Sequence, residues 1–120
     1  MIQKLDIEGV HLKIDDNLNK YVIKKLGNLD KYLSNKIKES IHMEVILKET
    51  KDKNKNNCIC EVNLYLPSEK INVKDKTVNI YAAIDIVEAK LKLKIHQYSD
   101  KHNLAKIHRR IFHKIINKIS

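Results

Sequence analysis

The strongest constraint on what this chain can fold into is a change of hydrophobic period that occurs repeatedly along it. Residues 3–8 alternate, with Leu5 and Ile7 on one face and Lys4, Asp6 and Glu8 on the other. That is the pattern of a half-buried strand. Gly9 is expected to end it, with Val10–Ile14 as a short connection. Asp15 is a good N-cap. After it, Leu18, Val22, Leu26, Leu29 and Leu33 recur at intervals of four, four, three and four. This predicts one apolar stripe on a helix of about four turns. Gly27 weakens that helix by ~1 kcal/mol relative to Ala, and its missing side chain permits close packing on a sheet.

Alternation then returns. Ile41, Met43, Val45 and Leu47 face one way, opposite His42, Glu44, Ile46 and Lys48. Cys58, Cys60, Val62, Leu64 and Leu66 share a face, as do Ile71 and Val73. The polar stretch Thr50–Asn57 is predicted as a mobile hairpin loop, and Pro67-Ser68 as a tight turn. From Thr77 the period becomes helical again. Thr77 or Asn79 caps a stripe of Ile80, Ile84, Val87, Leu91, Ile95 and Tyr98, bordered by Ala83.

The predicted order is β-α-β-β-β-α. A four-stranded sheet with one apolar face needs a cover, and two amphipathic helices on the same side supply it, giving an α+β fold. The first strand pairs after a helical crossover. A length of 120 residues suits a single domain with a core that needs no disulfide or metal. Residues 1–98 are assigned to this domain and residues 99–120 to a basic amphipathic C-terminal extension. Ser99-Asp100 is expected to break the second helix. Beyond it, Leu104, Ile107, Ile111, Ile115 and Ile119 form a stripe rotated by roughly half a turn from the earlier one. On a straight helix this stripe does not cover the same sheet.

Charge is distributed unevenly. Residues 90–120 carry nine Lys/Arg against one acid, Asp100, which accounts for +8 of the formal +9. One end of the molecule is therefore expected to be drawn to a polyanion. On a helical wheel Lys90, Lys94 and Lys101 fall on one flank of the second stripe, and Lys25 flanks the first. Helices lying side by side would let these lysines line a common groove.

Other chemistry is poorly supported. The only glycines are Gly9 and Gly27, so there is no phosphate-binding glycine loop. No nucleophile elbow or helical zinc motif appears, and no catalytic residue is assigned. Cys58 and Cys60, two apart on one face, make neither an ordinary disulfide nor a complete zinc site, and are expected as small core residues. His96, His102, His108 and His113 are spaced six, six and five apart, unlike an i, i+4 ligand pair, so no metal and no cofactor are expected. The N-terminus is charged from residue 4 and has no apolar signal core. Apolar runs fall far short of the ~20 residues of a membrane span. A cytoplasmic protein with no membrane partner and no small-molecule substrate is expected.

Four stretches carry a family resemblance. Asn79-Ile80-Tyr81-Ala82-Ala83-Ile84-Asp85, followed by Lys90-Leu91, resembles the D-M-Y-A-A-I-D…K-L signature of the bacterial ribosome hibernation-promoting factors. These are also called ribosome-associated inhibitors and, in older usage, sigma-54 modulation proteins. Asp6-Ile7-Glu8-Gly9 with Leu12-Lys13-Ile14-Asp15 is similar to the family's opening strand. Leu18…Tyr21-Val22…Lys25-Leu26…Leu29-Asp30-Lys31-Tyr32 is similar to its first helix, and Cys60–Leu66 to its third strand. The similarity spans roughly residues 2–98 and fits the short forms of the family.

The resemblance implies a fold like that of double-stranded-RNA-binding domains. It implies binding to the small ribosomal subunit and the 70S ribosome, on 16S rRNA, in the channel used by mRNA and tRNA, with translation inhibited in idle cells. A protein that is monomeric off the ribosome is expected. Lys25, Lys31 and Lys90 match basic positions of the family. Asn28 and Leu93 stand where members often carry a basic residue and an Arg, and Lys92 and Lys94 flank Leu93. The expected RNA-binding set is Lys25, Lys31, Lys90, Lys92, Lys94, Lys101, Arg109 and Arg110. The alternative is a protein-interaction module acting through the stripe Leu104–Ile119, with RNA binding incidental.

Overall fold

The computed structural model describes the backbone of residues 1–52 and 55–119, and side chains within 1–51 and 57–101. Strand β1 (Lys4–Val10) leads into helix α1 (Asp16–Leu26). A 3-10 turn (Leu29–Tyr32) and a one-turn helix α2 (Asn35–Lys38) follow. Strands β2 (His42–Asp52), β3 (Lys55–Tyr65) and β4 (Lys70–Thr77) come next, and helix α3 (Ile80–Ile119) closes the chain. The four strands form one sheet in the order β1-β2-β3-β4. β1 is parallel to β2, while β2–β3 and β3–β4 are antiparallel.

The register explains the alternation seen in the sequence. Ile7, Val45, Val62 and Val73 stand in one row across the sheet, and Leu5, Met43, Leu64 and Ile71 in another. Both rows lie on the face that α1 and α3 cover. Met43, Val45, Leu47, Cys60, Val62 and Leu64 are fully buried there against Leu26, Val22, Ile84, Val87, Leu91 and Ile95. Cys58 and Cys60 are free thiols within this core. Burial pushes the Cys60 thiol up to about 12.

Caps fix both helix starts. The Asp15 carboxylate accepts from the Leu18 backbone N–H at 2.8 Å. The Asn79 side-chain oxygen accepts from the N–H groups of Tyr81 at 2.8 Å and Ala82 at 3.4 Å, which selects Asn79 over Thr77 as the cap.

Four local expectations are corrected. The first helix stops at Leu26, not Leu33, with Gly27 as its C-cap donating to the Ile23 carbonyl. Leu29 and Leu33 are nonetheless buried, because the 3-10 turn and the extended residue after it keep both side chains turned inward. Gly9 lies within β1 opposite Leu47 and does not end it. The polar loop is shorter than expected: Thr50, Lys51 and Asp52 pair with Asn57, Asn56 and Lys55. Lys53 and Asn54 lie outside the described residues. Finally, Ser99-Asp100 does not break α3, whose backbone runs on to Ile119. Side chains of the tail stripe lie outside the described residues.

Candidate nucleic-acid interface

The two long helices lie side by side on the sheet, and paired i, i+4 residues from each lock them together. Tyr21 and Lys25 of α1 meet Tyr81 and Asp85 of α3. The Tyr21 hydroxyl donates to Asp85 Oδ1 at 2.5 Å. Lys25 Nζ lies 3.7 Å from the same oxygen, and the two tyrosine rings meet edge-on at 4.9 Å. The Asp85 hydrogen bond, then burial and the carboxylate's charge, push the Tyr21 phenol up to about 12. Inside the same signature block, Ala83 and Ile84 are fully buried in the core and Ala82 is half-buried. The block thus divides between sheet contact and helix–helix contact.

Beyond this lock the end of α1, the 3-10 turn after it and α3 frame a groove of about 220 Å³ whose lining includes Lys24, Lys25, Asn28, Lys31, Tyr32 and Lys92. Glu88 is the one carboxylate in that lining. Tyr32 lies beside two of its cations. The ammonium groups of Lys31 and Lys92 each lie 5.2 Å from its ring centroid, and the His96 ring lies 4.8 Å away. The Lys92 hydrogen bond, together with the charges of Lys31 and Lys92, holds the Tyr32 phenol below the ordinary tyrosine range. A neighbour that stabilises the phenolate marks positive potential at that point, which is the potential a phosphate oxygen would meet.

The remaining sequence-predicted cations are placed elsewhere. Lys90, Lys94 and Lys101 share a flank of α3, as the wheel indicates, but that flank faces β4 and not α1. They do not join Lys25 in a common groove. The reason is that α3 turns Asp85, Glu88 and Lys92 toward α1, leaving the opposite flank over the sheet's edge strand. Lys90 there binds Asp75 of β4 at 2.5 Å, and its hydrogen bond holds the Asp75 carboxyl below the ordinary range. Lys94 and Lys101 line a second groove of about 270 Å³ beside Lys70. Leu93, between Lys92 and Lys94, is 60% exposed. The side chains of Arg109 and Arg110 lie outside the described residues.

Three contributors were not singled out from sequence. Lys24 and Tyr32 enter the first groove, and Lys70 enters the second through strand pairing. For Tyr32 the signal was its place in the family-resembling stretch Leu29-Asp30-Lys31-Tyr32. Among the described residues no group of three or more His, Cys, Asp or Glu could hold a metal ion. No helix among the described residues is long and apolar enough to cross a membrane.

Comparison with known proteins agrees with this architecture. The family model described as Sigma 54 modulation protein / S30EA ribosomal protein matches residues 5–103. The ribosome hibernation promotion factor of Lactococcus lactis subsp. cremoris (strain MG1363) is 29% identical over 102 residues, covering 83% of this chain and 51% of that protein. The ribosome hibernation promotion factor of Staphylococcus aureus (strain COL) is 22% identical over 102 residues, covering 83% and 50%. The chain therefore spans about half the length of the curated relatives it matches. Among solved structures, the N-terminal domain of Protein Y from Thermus thermophilus superposes with a TM-score of 0.66 at 28% identity, covering 81% of this chain and 97% of that one. A ribosomal subunit interface protein from Coxiella burnetii shares the fold with a TM-score of 0.65 at 20% identity, covering 82% and 99%.

Proposed function

Because the chain belongs to the Sigma 54 modulation protein / S30EA ribosomal protein family, we propose that it is a ribosome hibernation factor. It binds 16S rRNA of the small subunit in the mRNA and tRNA decoding channel and blocks translation by occupying that space. The observation that carries this reading is the cationic groove between α1 and α3, where Lys24, Lys25, Lys31 and Lys92 converge. Ribosome hibernation promotion factors are named among its relatives.

The mechanism is steric and electrostatic. Lysine ammoniums replace counterions on the phosphate backbone, and the released ions favour binding. Contacts of this kind position a protein without reading bases, so little sequence preference is expected. The Tyr21–Asp85 hydrogen bond ties α1 to α3 beside the groove. Residues 1–98 form the ribosome-binding domain in this reading, and the basic segment 99–120 adds long-range attraction.

Co-sedimentation of the purified chain with small ribosomal subunits tests the proposal. The chain is expected in the small-subunit fraction at low salt. The Lys25→Glu/Lys92→Glu double variant is expected to bind at least tenfold more weakly. A chain that stays at the top of the gradient at every salt concentration would overturn the proposal.

A further inference from the structure

The proposed function uses one flank of α3; the other flank carries a second cationic groove with different chemistry around it. Lys70 from β4 and Lys94 and Lys101 from α3 line it, together with the neutral hydrogen-bonding side chains of Asn72 and Gln97 and one carboxylate, Glu69. Lys94 and Lys101 form no ion pair among the described residues, and both are exposed. Residues 101–120 contain no Asp or Glu. Lys90, one turn before Lys94, differs: Asp75 holds it. The free cations of this flank are therefore concentrated toward the C-terminal half of the described part of α3.

The two grooves face away from each other across α3. Lys92 belongs to the first and Lys94 to the second, with exposed Leu93 between them. A helix with its side chains is about 10–12 Å across, so phosphates in the two grooves are separated by about that distance. A single strand lying along the first groove would have to cross the crest of α3 to reach the second.

We propose that α3 is a wedge between two separate RNA backbone segments, one bound in the α1–α3 groove and the other in the Lys70–Lys94–Lys101 groove. The ligand class of the second groove is a phosphodiester backbone. The ammonium groups of Lys94 and Lys101 meet phosphate oxygens, and Gln97 offers a donor and an acceptor to ribose hydroxyls, the groups that distinguish RNA from DNA, while the Asn72 amide nitrogen already donates to Glu61 and Asn63. The wedge rests on the ribosome-binding reading and adds a second contact to it.

Two measurements test the wedge without depending on the same outcome as the proposed function. The first compares affinity for purified small subunits across a potassium chloride series for three proteins: the unaltered chain, Lys25→Glu/Lys92→Glu, and Lys94→Glu/Lys101→Glu. Lys92, Lys94 and Lys101 are exposed and Lys25 is half-buried, so circular dichroism verifies folding of each variant. Each double variant is expected to lose at least tenfold in affinity and to flatten the log–log salt slope by about one to two, since each lost phosphate contact removes about 0.7–0.9. Full binding by Lys94→Glu/Lys101→Glu alongside weak binding by Lys25→Glu/Lys92→Glu overturns the wedge and leaves the proposed function standing. Full binding by both removes the first groove as well.

The second measurement tethers a hydroxyl-radical source to a cysteine introduced by Asn28→Cys in the first groove or Gln97→Cys in the second. The chain's own thiols are buried. The wedge predicts cleavage of two different stretches of 16S rRNA. Cleavage of one shared stretch from both positions contradicts it.

Discussion

At the scale of single residues, the tyrosines report the electrostatics of the interface. Tyr21 sits beside a carboxylate and Tyr32 beside two ammoniums, so their phenols move in opposite directions from the ordinary 10.0. The folded value of Tyr21, about 12, is raised, so its neutral form favours the fold. That contribution is complete below pH 10 and is lost as pH rises through about 12. Tyr32 is lowered, so its phenolate favours the fold; that contribution is full above pH 10 and is lost as pH falls through the lowered folded value. Resolved tyrosine titration by NMR is expected to show Tyr32 ionising first of the two. Asp85→Asn should bring Tyr21 back toward 10 while leaving Tyr32 in place. Coincident titration of the two rings would contradict the described geometry.

Gly9 is a second residue with a sharp requirement. A Cβ there would meet the Leu12 carbonyl oxygen at 2.3 Å and Ile14 Cγ1 at 3.2 Å, because the chain folds back immediately after β1 through His11 at φ 54°. Gly9→Ala is expected to destabilise the domain by about 1–3 kcal/mol, the range for overpacking. Chemical denaturation measures it.

At the scale of elements, what could be read in advance followed from periodicity. Strands β2, β3 and β4 and the start of α3 were legible because one face of each is buried. The Tyr81–Asp85 block was legible as a motif. The end of α1 was not, since a 3-10 turn keeps Leu29 and Leu33 buried at spacings a helix would also give. The separation of Lys25 from Lys90 was hidden for another reason. A helical wheel gives a residue's flank on its own helix but not which flank the neighbouring helix adopts. Contacts between elements, such as Tyr21–Asp85 and Lys90–Asp75, show which flank that is.

The described core ends at Tyr98. A chain ending at Lys101 is therefore expected to melt cooperatively within a few degrees of the full chain by circular dichroism. It should still bind small subunits, more weakly because the cations from Lys106 to Lys118 are gone. Complete loss of binding would favour a partner docked on the stripe Leu104–Ile119.

At the scale of the whole molecule, the +8 carried by residues 90–120 resolves into distinct parts. Lys92 serves the α1–α3 groove. Lys90 is held by Asp75. Lys94 and Lys101 line the β4 flank, and the rest belongs to the C-terminal stretch of α3. The sequence carried the sign of the charge, while the division among these surfaces depends on how the helices sit on the sheet. The central claim is that this charge seats the protein where mRNA and tRNA would lie. Its most direct test is the binding of a fluorescent mRNA and initiator tRNA to purified small subunits as the chain is added. The account predicts mutual exclusion: each unit of bound chain releases the labelled mRNA, and Lys25→Glu/Lys92→Glu releases it only at much higher concentration. Labelled mRNA that stays bound while the chain saturates the same subunits would contradict it.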